Sequence, residues 1–217
     1  MPPLFYEGHR FDPSLVRGEI RCRFGGIRVL ICAPVSGVGP DALRPFPTTF
    51  WLVCPWLLRR VGTVESEGGV RRLEEWLDSR APGPWRDYNL LHQRLRLSLM
   101  SPAQLNFLRR FHPSIFRSLR RGGVGGIRPR RGEVRVKCLH LQTASWLALG
   151  HHPGAEWLHA EGLDGECDGQ EVLVPAAAHG CARLPSADGQ EVLVPAAAHG
   201  CARLPSADGQ GCSQIFC

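Results

Sequence analysis

Residues 46–67 read FPTTFWLVCPWLLRRVGTVESE. The first half, Phe46 to Val53, is a run of aromatic, β-branched and aliphatic residues with strand character. At Cys54-Pro55 the pattern changes. Proline is favoured in the first turn of a helix, where its missing N–H has no intrahelical partner to lose. A helix therefore opens at Pro55 and runs to about Glu67, where Gly68-Gly69 ends it. A strand that hands over directly to a helix makes this an α+β chain.

Working outward, Ile20 to Val35 reads as two short strands around the Gly25-Gly26 turn. Downstream the signals are helical. Val70 to Ser79 places Leu73, Trp76 and Leu77 on one face. After Pro82-Gly83-Pro84, Trp85 to Met100 turns Tyr88, Leu91 and Leu95 inward. Ser101 is a good N-cap with Pro102 behind it. Leu105, Leu108 and Phe111 line the helix that follows, up to an interruption at His112-Pro113. Ile115, Phe116 and Leu119 continue the same stripe. Gly122 to Gly132 reads as a flexible loop, Val134 to Gly150 as a strand end leading into a helix, and Ala155 to Ala160 as a last short helix. The expected fold is a mainly helical single α+β domain with a small sheet near the N-terminus. Residues 1–19 form an arm, residues 20–167 the globular domain, and residues 168–217 a disordered tail.

The tail is a duplication. Residues 168–187, DGQEVLVPAAAHGCARLPSA, recur letter for letter at 188–207. Each copy has one short apolar run, too little to build a core. A solenoid needs about three or more units with diverged ends.

Of 217 residues 43% are apolar, the share of a globular protein. The longest apolar stretch, Thr49 to Leu58, is too short to span a bilayer and contains Pro55. Met1 to Arg10 lacks the apolar core of a secretory signal, so a cytoplasmic location is expected. The net charge is +6. Lys137 is the sole lysine among 26 basic residues, an arginine bias that genome composition alone can produce. The charge is unevenly spread: from Arg109 to Lys137 there are ten basic residues and one acid, Glu133. Gly122, Gly123, Gly125 and Gly126 lie in the middle. Glycines let backbone N–H groups approach an anion, and arginine forks match phosphate oxygens. Arg121, Arg128, Arg130, Arg131 and Lys137 are therefore candidate anion ligands, for nucleic acid, polyphosphate or a phosphorylated small molecule. The competing reading is a solvated face. Neither a Walker A loop nor a G-x-G-x-x-G turn is present. Few aromatics interleave with these arginines, only Phe111 and Phe116, and both fit the apolar stripe better.

Three stretches carry a family resemblance: FPTTFWLVCPWLLRRV at Phe46 to Val61, GVGGI at Gly123 to Ile127, and VKCLHLQTASWLALGHHPGAEWL at Val136 to Leu158. Together with the RC-x-FG start at Arg21 and the late Cys167, they resemble the bacterial domain-of-unknown-function family 501. The resemblance implies no activity. It implies further histidines after the CLH motif, at places held here by Gln142 and Ser145.

Nine cysteines without a secretory signal do not read as a disulfide framework. Cys22, Cys54, Cys138 and Cys167 fall within the resembling region. Four thiolates brought together hold Zn²⁺ or an iron–sulfur cluster, and three with His140 give a Cys₃His zinc site. No two form a C-x₂-C pair, so tertiary folding must assemble any such site. Inert buried thiols are the bland alternative. An enzyme reading uses the same residues, with Cys54 at a helix N-terminus as nucleophile and His140 as its base. The sequence thus points to an accessory or regulatory protein with a thiol-lined, metal-capable site and a basic phosphate-binding surface. The alternative is a small thiol-dependent enzyme acting on a phosphorylated substrate.

Overall fold

The computed structural model describes residues 13–37, 43–128 and 133–165, with the backbone alone at 4–6, 9–11 and five short segments between 173 and 216. Strands β1 (Leu4–Tyr6) and β2 (His9–Phe11) form a hairpin. The central sheet is antiparallel, β3 (Val16–Arg21), β4 (Ile27–Cys32) and, beyond the small β5–β6 ladder (Val35–Ser36 with Arg44–Pro45), β7 (Phe50–Leu52). Strand β3 is an edge and alternates half-buried with exposed residues. Strand β4 lies in the middle and is buried along nearly its whole length, as an apolar IRVLIC run should be. Gly25, at φ 81°, makes the turn between them, in the left-handed region that glycine enters without strain.

Among the described residues seven helices follow: α1 (Pro55–Ser66), α2 (Gly69–Arg80), α3 (Pro82–Ser98), α4 (Pro102–Phe111), α5 (Pro113–Arg121), α6 (Leu139–Leu149) and α7 (Ala155–Ala160). Four of them begin with proline at the first position. Helix α3 starts at Pro82 rather than Trp85, because a proline pair in the first turn forfeits only N–H groups that have no intrahelical acceptor. Ser101 and Gln104 cap α4 reciprocally, each side chain accepting the other's backbone N–H. The main core gathers β4 and β7 with the inner faces of α1, α2, α3, α6 and α7. Met100, Leu108 and Leu119 form a second, smaller core beneath α4 and α5.

Two expectations are corrected here. The segment Val134–Lys137 forms no strand. Its Val136 N–H donates to Glu74 Oε1 at 2.7 Å, so a side chain supplies the acceptor that a neighbouring strand would have given. The described part of the glycine-rich stretch is not an open loop. Gly122, Gly123, Val124 and Gly125 are buried in a short 3₁₀ turn. Beneath it lies Arg96, 0% exposed, which donates to the carbonyls of Pro47 (2.9 Å), Leu119 (2.8 Å), Gly122 (2.6 Å) and Gly123. A buried guanidinium is costly unless its donors are met. Here carbonyls meet them, and the turn is shaped to provide them.

In the tail, β8 (Leu173–Pro175), β9 (Cys181–Pro185), β10 (Glu191–Pro195), β11 (Cys201–Pro205) and β12 (Cys212–Phe216) form ladders only with one another among the described residues.

Candidate functional site

The chain enters α6 at Cys138, whose side chain makes no capping bond. An acceptor arrives from another helix instead. Glu65, in the last turn of α1, accepts the Leu139 N–H through Oε1. The same oxygen lies 3.2 Å from His140 Nδ1. One ligand atom each from Glu65, Cys138 and His140 fall within 4.8 Å of one another, and all three residues are half-buried. Two residues that the CLH motif supplies are thus joined by a carboxylate 73 positions upstream of Cys138.

The electrostatics follow from this packing. Burial pushes the Glu65 carboxyl up, but the His140 ring and the N–H groups of Leu139 and His140 outweigh it and hold it below the ordinary carboxylate range. Burial also works against a charged His140, yet Cys138 and Glu65 beside it raise that imidazole to about 10. Glu65 and His140 therefore face each other as an ion pair.

A cavity of about 170 Å³ opens on it. Trp51, Leu52, Leu58 and Leu141 make apolar walls, and Lys137, Cys138 and His140 supply the polar side. Strand β7 and helix α6 place these walls, because α6 packs across β7.

The other expected ligands fall elsewhere. Cys22 sits in the β3–β4 turn, its N–H bonded to Gly26 O. Cys54 is buried as the N-cap residue of α1. Neither joins the Glu65 group among the described residues. Cys167, Arg130 and Arg131 lie outside the described residues. Arg121, at the end of α5, and Arg128 are exposed, and Lys137 is exposed at the cavity. The backbone donors of the glycine turn are engaged within the protein. Gly122 N–H bonds Ser118 O, Gly123 bonds Ile127 O, Gly126 bonds Gly123 O, and Val124 bonds Asn89 Oδ1. These four donors of the turn are thus committed within the protein.

Composition concealed a second polar cluster. Between α3 and α6, Ser145 Oγ bonds both His92 Nε2 (2.7 Å) and the Tyr88 hydroxyl. Gln142 Oε1 bonds His152 Nε2 at 3.0 Å. Gln142 and Ser145, where the resemblance implies histidine, each serve a buried histidine from another element. His152 is buried, while His151 stays exposed. No periodicity marks His92, and no local signal marks Glu65.

The family model described as protein of unknown function, DUF501, matches residues 19–160. The chain belongs to this family. Comparison with curated proteins and with solved structures gives no match. The DUF501 region takes in all seven helices and most of the central sheet, and with them Glu65, Cys138, His140 and the cavity beside them.

Proposed function

We propose that this DUF501 protein is a binding or regulatory protein whose centre is Glu65–Cys138–His140. The cluster holds a borderline-soft divalent cation, Zn²⁺ first, and presents it to an anionic ligand in the adjoining cavity. The observation that carries this reading is the convergence of a thiol, an imidazole and a carboxylate beside a cavity that Cys138 and His140 line. Sulfur, nitrogen and oxygen donors together suit zinc, and three protein ligands leave a fourth position for water or substrate. Ligand atoms around tetrahedral zinc lie roughly 3.2–3.8 Å apart. His140 and Glu65 are already at 3.2 Å, and small side-chain rotations bring the third donor in. The Leu139 N–H fixes the Glu65 carboxylate through Oε1, the kind of support that orients a metal ligand. Lys137 at the rim supplies a point charge for an anionic or phosphorylated ligand, and the apolar walls suit its carbon skeleton.

The test is metal analysis of the full chain purified without a metal-affinity tag, followed by Co²⁺ titration. About one zinc per chain and a thiolate-to-cobalt absorption band are expected. Cys138→Ser and His140→Ala should each weaken metal affinity by about 10-fold or more. A folded protein that takes up neither metal overturns the proposal.

The alternative enzyme reading keeps the thiol but moves it. Cys138 and His140 both line the cavity, whereas Cys54 is buried at the start of α1. A thiol-dependent enzyme acting on a phosphorylated substrate would use Cys138 as nucleophile, with His140 oriented by Glu65. Selective alkylation of Cys138 in the metal-free protein, slowed in His140→Ala, favours this second reading.

A further inference from the structure

Helices α4 and α5 carry a surface unlike the rest of the molecule. Residues 88–132 contain ten arginines and no acid. Arg96 is spent in the core, but Arg109, Arg110, Arg117, Arg120 and Arg121 stand exposed on these two helices. Among them are two aromatic rings that the apolar stripe does not absorb. Phe111 is 59% exposed and Phe107 38%, although Phe111 was expected to face inward with Leu105 and Leu108. Leu108 alone fills the core at that level, and the helix ends at Phe111 before the chain turns at His112-Pro113. The two rings pack on each other with centroids 5.1 Å apart. The Arg110 guanidinium lies 5.3 Å from the Phe111 ring, and that of Arg109 lies 5.4 Å from the Phe116 ring.

We infer that this face binds single-stranded nucleic acid, with Phe107 and Phe111 as a stacking platform for bases and the α4–α5 arginines against the flanking phosphates. The reading is independent of the cavity and of the metal proposed beside it. Exposed rings within a cationic, acid-free surface are what an unpaired strand requires, since every base has a face to stack and every linkage a charge to neutralise. A protein partner would call for a broad apolar core on this face. Here the large exposed apolar groups on α4 and α5 are two rings among Gln104, Asn106 and arginines, among the described residues. The proposal places the phosphates on the α4–α5 arginines and not on the glycine turn, where the N–H groups of Gly122, Gly123, Val124 and Gly126 are bonded internally.

The test is fluorescence anisotropy of the full chain with labelled oligothymidylate and oligouridylate of about 12 nucleotides, at several salt concentrations. Binding should weaken with salt, with a log–log slope of roughly −3 for four to five neutralised phosphates. The double variant Phe107→Ala, Phe111→Ala should weaken binding about tenfold or more with the slope unchanged. Arg110→Glu with Arg117→Glu should weaken it and flatten the slope. All four side chains are exposed, so circular dichroism and melting should match the parent. Three results overturn the proposal: no salt-dependent binding, equal affinity for a duplex of the same length, or binding indifferent to both phenylalanines. A glutamate-rich peptide that binds in the same Phe-dependent manner and displaces the oligonucleotide overturns it too, and makes the partner an acidic protein.

Discussion

Ser145 Oγ lies 2.7 Å from His92 Nε2, with the Tyr88 hydroxyl bonded to the same oxygen, at the buried seam between α3 and α6. A serine hydroxyl has one hydrogen to give. It can give that hydrogen to only one of the two, so a neutral His92 either accepts it at Nε2 or donates its own ring N–H to Ser145 Oγ. The surroundings agree. Burial first, then the charges of Arg96 and His151, lower His92 to about 3. Burial, with His92 and His151 nearby, lowers His152 likewise to about 3. Tyr88 is driven the other way by the same burial and keeps its proton.

These two histidines make the fold acid-sensitive. Each binds its proton more readily unfolded, at the ordinary value of 6.5, than folded. Their contribution is therefore complete above about pH 6.5 and is lost as the pH falls toward 3. At pH 4.5 the loss is roughly 2–3 kcal/mol for each histidine. Melting temperatures between pH 7.5 and 4.5 should fall steeply, and less so in His92→Gln. A flat profile over that range contradicts the assignment of neutral, buried rings.

Removing the hydroxyl from Ser145 should cost more than a surface change. Ser145→Ala leaves the Tyr88 hydroxyl with only a long bond to His151 O (3.4 Å) and removes the Ser145 partner of His92 Nε2. Burying such groups unmet costs about 1–3 kcal/mol. Urea unfolding should show that loss with an unchanged slope. A double variant with Tyr88→Phe should cost less than the sum of the single changes, because both remove one interaction.

The glycine turn should behave as core. A Cβ on Gly123 would lie 1.8 Å from Asn89 Oδ1, an atom fixed by its bond to Val124 N–H. Gly123→Ala must displace that pair and loosen the carbonyl that Arg96 holds. Arg96→Met, which leaves the carbonyls unmet, should cost about 3–5 kcal/mol. By contrast Gly83→Ala has open space and should be close to neutral or stabilising. If Gly123→Ala proves as mild as Gly83→Ala, the turn is looser than its bonding implies.

The sequence made the elements legible where local chemistry sets them. Proline at helix starts, the Ser101 cap and the Gly25 turn all act within a few residues, so β3, β4, β7 and the helices fall close to where the pattern puts them. It also placed Cys138 and His140 together, since two residues of one helix entry cannot separate. Glu65 was invisible because its value comes from α1 ending beside α6, a tertiary fact with no local trace. Arg96 was hidden for the same reason: nothing at 88–98 distinguishes the one arginine that carbonyls will surround from its solvated neighbours. The glycine run misled in the opposite sense, because small residues serve equally for an open cradle and for close packing over Asn89.

A chain ending at Gly165 should keep the stability of the full one. Arg28, on the central strand and 8% exposed, donates to both Asp164 O and Gly165 O at 2.9 Å. Just before them, Leu163 is fully buried and Glu161 O accepts from Arg60. These contacts tie the end of α7 back to the sheet and to α1. The tail strands add no ladder to that sheet among the described residues. A chain cut after Gly165 should melt within about 2 °C of the full chain. A chain cut after Leu158 loses the buried leucine, worth about 1.5–3 kcal/mol, and leaves Arg28 without two of its acceptors. Its melting temperature should fall by about 10 °C or more. Equal melting of the two truncated chains would mean that the Arg28 contacts hold nothing in place. A large drop on cutting after Gly165 would mean that the duplicated tail supports the domain.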